Sequence, residues 1–167
     1  MVTARCSSQD HAAFEVALAI LSSRLFSAIR EDKSLSYSAS APFLNRALTA
    51  GGMYVSTHRP KEAVPIMREQ LLRLRSETLD AYSLRRFVEG WTLEYFYDHA
   101  TSASQAEFLA RAQLLHGDWR AGVRRMQALR AVRSNDVRTA AWRYMKDIRF
   151  AYVGDTTRVD RKELAKF

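Results

Sequence analysis

The 167-residue sequence is short of most residues on which small self-contained sites are built. It has one cysteine, Cys6, so no internal disulfide can form and a four-cysteine zinc site is excluded. Its histidines, His11, His58, His99 and His116, include no pair at the spacing of three or four that brings two imidazoles onto one helix face. His11 and Glu15 are spaced as helix neighbours, but one such pair makes a poor metal site. No glycine-rich phosphate loop follows a strand, and Gly51-Gly52 reads as an isolated turn. No uninterrupted apolar run reaches the roughly 18 to 20 residues of a membrane span. The first residues lack the apolar core of a signal peptide. These absences predict a soluble chain with no membrane partner and no cofactor of its own, cytoplasmic or periplasmic, with the compartment itself undetermined.

Acidic residues are also in deficit. Lys and Arg total 26 against 18 Asp and Glu, a net charge of +8, and most of the cations are arginine. Arg120, Arg124, Arg125, Arg130, Arg133 and Arg138 lie close together. Such a cluster could neutralise phosphates. Val123, Met126, Leu129 and Val132 interleave with it at helical spacing, however, which favours an amphipathic helix with a solvated basic face over a nucleic-acid site.

The apolar pattern changes period along the chain. Phe14, Leu18, Leu21, Leu25 and Ile29 make a helical stripe from about Asp10, placed to cap, to Arg30, with Ser22-Ser23 the weakest point. Leu35, Tyr37, Ala39, Ala41 and Phe43 then alternate with polar residues and Pro42, as in a half-buried strand with Tyr37 on its apolar face. Met53, Val55 and Thr57 predict a second strand after a connection too long for a tight hairpin. Helices are expected from Pro60, from Asp80, from a capping box at Ser104–Glu107 ending at Gly117, from Trp119 and from Ser134. A short strand is expected at Arg149–Gly154. Two strands cannot bury a face alone, so this late strand is expected to join them under the helices. The fold class is α+β, an antiparallel sheet covered on one face by several helices.

One segment carries a resemblance. Ser22, Ser23, Arg24, Leu25, Phe26, Ile29, Arg30 and Glu31, followed by Leu35, Tyr37 and Ser38, resemble the S-S-R-L-F-x-x-I-R-E helix end and L-x-Y-S strand start of the M16 zinc metallopeptidases. The likeness is to their C-terminal, non-zinc domain. Thr57-His58-Arg59-Pro60-Lys61-Glu62, the run from Arg130 to Tyr144 and Phe150–Asp155 are similar to later family motifs in the same order. The resemblance implies one M16 C-terminal-type domain over residues 1–155 and a polar tail over 156–167. It implies that Arg30 and Tyr37, seven residues apart, contact substrate and transition state in a peptide-cleaving chamber. Zinc is then supplied by a second domain or subunit bearing H-x-x-E-H, a motif missing here, and the substrate is an unfolded peptide. Ser34 stands where the family usually has glycine. A catalytically inactive scaffold domain is the alternative reading, and an Arg-rich nucleic-acid-binding domain a weaker third.

Overall fold

In the computed structural model, which describes residues 2–3, 10–44 and 49–167, helix α1 (His11–Leu25) runs through the middle of the molecule. It is buried around nearly its whole circumference: Ala12, Ala13, Phe14, Val16, Ala17, Leu18, Ile20, Leu21 and Leu25 are all enclosed. The sequence suggested a single stripe. The alanines instead give α1 apolar character on every side, the mark of a core helix or a membrane span. By length and composition His11–Glu31 also meets the membrane criterion, with mean hydropathy 1.6. Here it is wrapped by helices α2 (Pro60–Ser76), α5 (Arg120–Arg130) and α6 (Ser134–Tyr144) and by the sheet.

Asp10 does not cap α1. Its carboxylate accepts from the Tyr144 hydroxyl (2.6 Å) and pairs with Arg143, tying the start of α1 to the end of α6. The Ser22-Ser23 point remains helical, and the Ser22 hydroxyl oxygen accepts from the Ala41 N–H (3.1 Å), linking the helix to the sheet.

The strands are short and all antiparallel: β1 (Val2–Thr3), β2 (Ser38–Ser40), β3 (Phe43–Leu44), β4 (Ala50–Gly51) and β5 (Tyr54–Ser56). β2 pairs with β5 and β3 with β4, two stretches of one hairpin interrupted around Pro42, whose carbonyl accepts from the Gly52 N–H (3.3 Å). Proline has no N–H for the ladder, which accounts for the interruption. Gly51 lies inside β4 rather than in a turn. A Cβ there would come 2.4 Å from Leu18 Cδ1 and 3.0 Å from Phe14 Cζ, so glycine is what lets α1 seat on the sheet.

The late strand at Arg149–Gly154 does not form. The third sheet position is taken by β1, which pairs with β4 through Val2↔Gly51 and Thr3↔Ala50. The apolar residues of the expected strand go elsewhere: Phe150 packs edge-on against Phe167 (4.8 Å), and Val153 is exposed. Cys6 and positions 45–48 of the long connection lie outside the described residues.

The helix boundaries follow local chemistry. Pro60 opens α2, and Pro65 sits within it. Asp80 caps α3 (Ala81–Asp98) by accepting from the Ser83 N–H (2.8 Å). Helix α4 (Ser102–His116) begins a few residues earlier than expected because Thr101 caps it, with Ser104 as the reciprocal partner, and Gly117 ends it at φ 71°. Residues 156–167 form a 3₁₀ turn (Thr156–Arg158) and helix α7 (Arg161–Leu164), whose Glu163 pairs with Arg68 of α2 (2.8 Å). The tail therefore docks onto the helical layer.

Candidate functional site

Without leaving its helical path, α1 widens into a π-helical turn, Phe26–Glu31, closed by the Asp32 N–H donating to the Ser27 carbonyl (2.9 Å). π-helical turns are rare and recur at functional sites. The turn is anchored by buried Ile29 and stopped by Ser34 at φ 50°. The Leu35 N–H donates back to the Ile29 carbonyl (2.8 Å) and the Ser34 N–H to the Arg30 carbonyl (3.2 Å). This is the left-handed helix end that glycine ordinarily provides, here made with serine.

Leu35 points into the core, so the strand alternation predicts that Tyr37 follows it. Tyr37 is instead 83% exposed. The reason is local. The Ser36 hydroxyl donates to the Ser56 carbonyl (2.6 Å) and accepts from the Ser38 N–H (2.9 Å), and regular pairing begins only at Ser38. Ahead of that point the chain is free to turn the phenol outward.

The structure brings Arg30 and Tyr37 together. The Arg30 guanidinium carbon lies 4.2 Å from the centre of the Tyr37 ring and 4.7 Å from that of Phe26. Two cation–π contacts thus fix the cation at the surface. Phe26 was not singled out as a site residue from sequence, although its place four residues before Arg30 was the available signal. Thr57 and Arg59, which the sequence offers only as part of a family-like run, adjoin the same turn. The Thr57 hydroxyl donates to the Leu35 carbonyl (2.6 Å) and accepts from the Arg59 N–H, while the Arg59 guanidinium reaches the Ser34 carbonyl (3.3 Å). These bonds clamp the turn carrying Tyr37 to the start of α2, with an open recess between residues 34–37 and Ser56–His58.

The motif's other arginine has a structural task. Arg24 pairs with Glu77 (3.3 Å) across α1 and the end of α2. Burial pushes its guanidinium below the ordinary arginine range, while the hydrogen bond from Arg73 holds the Glu77 carboxyl below its own.

Members of the basic cluster are engaged by different partners. Arg125 is spent on Glu15, with Nε donating to Oε2 (2.9 Å) and Nη2 to Oε1, and Glu15 is only 2% exposed. Arg124 pairs with Asp118 (2.7 Å), Arg120 lies over the Trp119 ring and Arg138 donates to Asn135. His11 and Glu15 lie one turn apart on α1 as expected, with the Glu15 carboxylate bound by Arg125 and the His11 ring packed edge-on against Phe43 (5.1 Å). His99 stacks on Tyr95 (4.2 Å). Among the described residues, no three His, Cys, Asp or Glu side chains gather as a metal site, so the donor set does not fit zinc.

The model of the peptidase M16 inactive domain matches residues 3–90, which hold the π-helical turn, both halves of the hairpin and α2. The chain belongs to the peptidase M16 inactive-domain family. No curated protein matches the sequence. Among solved structures, the fold is similar to that of a protease from Helicobacter pylori (TM-score 0.70, 16% identity, 87% of this chain and 36% of that one). It is also similar to the inactive peptidase domain of a candidate zinc protease from Bordetella parapertussis (TM-score 0.68, 20% identity, 87% and 84%). A third likeness is to the periplasmic protease PqqL from Escherichia coli (TM-score 0.65, 16% identity, 85% and 16%). At these identities the likeness is one of fold. This M16 chain spans nearly the whole of the Bordetella domain but a minor part of the other two proteins. The expected α+β class, with a small antiparallel sheet under helices, is the one observed.

Proposed function

We propose that this M16 domain is the zinc-free, site-completing part of a metallopeptidase, with Arg30 and Tyr37 as its substrate contacts. The observation that carries the reading is the exposed Tyr37 phenol held beside the Arg30 guanidinium on a π-helical turn clamped from both sides. Zinc would supply Lewis-acid chemistry from a second domain or subunit. This chain's own contribution is binding and orientation. The Tyr37 hydroxyl donates to the scissile carbonyl oxygen as negative charge develops on it. The Arg30 guanidinium carries its donors in its plane, so rings against its faces leave N–H groups for a carbonyl or carboxylate of an extended peptide.

The experiment is reconstitution with a zinc-bearing M16 domain and an unstructured peptide. Tyr37→Phe is expected to lower kcat by about 10²–10³, the usual loss for one oxyanion donor. Arg30→Ala should act more on KM, because a ground-state contact is removed. If both variants cleave as the parent does, the second reading holds, that of an inactive scaffold domain. The family's description as an inactive domain favours that second reading.

A further inference from the structure

Helix α3 packs inward through Leu84, Val88 and Thr92 and presents an opposite face that no described residue covers. Tyr82, Arg86, Gly90, Leu93 and Tyr97 follow one another along it at spacings of four and three. Leu93 is 72% and Tyr97 83% exposed. Gly90 stands at the middle of the helix, where glycine is destabilising relative to alanine. A Cβ there would meet no atom within 4 Å, so nothing within the chain requires glycine. Without a Cβ at its middle, the open face leaves room for another backbone to approach closely there.

The charges identify the visitor. The first half of α3 carries Arg85 and Arg86, and the last turns carry Glu94 and Asp98. Such a helix complements an antiparallel copy of itself. We propose that α3 pairs with α3 of a second copy of this chain about a two-fold axis through Gly90. Antiparallel pairing centred there sets position 90 − k opposite 90 + k. Arg86 meets the partner's Glu94, and Tyr82 meets the partner's Asp98. The two-fold repeats each contact, as an isologous interface must. The two glycines meet at the crossing, and Leu93 and Tyr97 flank it with the apolar area. Arg85 remains on Glu89 of its own helix (2.9 Å), outside the pairing.

Sedimentation velocity of the full chain over a concentration series is the test, with a reversible dimer the expected result. Gly90→Leu fills open space in the monomer and improves helix propensity, so circular dichroism should show an intact fold while the dimer dissociation constant rises by about tenfold or more. Arg86→Glu and Glu94→Arg should each weaken the dimer, and the double reversal should restore it. A parent chain that stays monomeric throughout overturns the proposal. So does a dimer indifferent to Gly90→Leu, or a double variant as weak as the singles. Gly90-dependent binding of a zinc-bearing M16 domain by a chain that is itself monomeric would assign the face to that partner and equally overturn it.

Discussion

The ion pair between Glu15 and Arg125 offers a sharp test of how α1 is held in the core. The Glu15 carboxylate is almost completely enclosed, while the Arg125 side chain reaches it from α5 with 28% of its own area exposed. Both carboxylate oxygens are engaged by one guanidinium, so Arg125→Met leaves a buried charge with its principal partner gone while preserving much of the apolar stem. Breaking such a pair from one side costs about 3–5 kcal/mol. A domain of this size has about 5–15 kcal/mol in total. Urea denaturation, with a slope of about 2 kcal/mol per molar, should therefore show a midpoint about 2 M lower. Arg85→Met is the control, because the Arg85–Glu89 pair is exposed on both sides and pairs of that kind contribute at most about 1 kcal/mol. The double variant Glu15→Leu/Arg125→Met should recover most of the loss, since apolar replacement of both members is often neutral or better. If Arg125→Met moves the midpoint no further than Arg85→Met, the buried carboxylate does not depend on this partner and the reasoning fails.

Ser34 sits at φ 50°, a conformation costing a non-glycine residue about 1 kcal/mol, so Ser34→Gly should raise the thermal midpoint, and an unchanged or lower one would contradict the assignment of this helix end. Gly51→Ala should cost about 1–3 kcal/mol through the clash with Leu18, read by chemical denaturation. Acid should destabilise the fold through the carboxylates that hydrogen bonds hold below their ordinary range: Asp118 bonded by Arg124, Glu163 by Lys166 and Arg68, and Glu77 by Arg73. Their contribution is fully present above the unfolded-state values and is lost as pH falls through the depressed folded-state ones, so the thermal midpoint should drop in that acid window.

The helices were legible because their ends are local matters. Asp80 and Gly117 marked boundaries with a side chain and with backbone freedom that act within a few residues, and the start of α6 at Ser134 is held as locally by Asp136 accepting from the Arg133 N–H. The sheet was less so. Its third strand is a two-residue segment paired to β4 some fifty positions away, and no alternation can show in two residues. Phe150 and Tyr152 alternate well enough to imitate a strand, but β4's partner place was already filled. The candidate site divides the same way. The seven-residue interval from Arg30 to Tyr37 stands in the sequence, but the outward turn of the phenol depends on where Ser36 and Ser56 meet. The Glu15–Arg125 pair joins positions 110 apart and carries no local signature. Within the apparent basic patch, Arg125 is taken up by a carboxylate 110 positions away and Arg124 by nearby Asp118, neither of which a count of charges reveals.

The burial of α1 on every side also sets a schedule. The bond joining Asp10 to Tyr144 spans 134 residues, and α6 is among the principal covers of α1. At translation rates of about 5–20 residues per second, that interval lasts roughly 7–27 s. Throughout it, the most apolar segment of the chain has left the ribosome without the helix that will enclose it. Aggregation through α1 is thus a hazard of the interval before α6 is made, and it ends when that helix closes over the core.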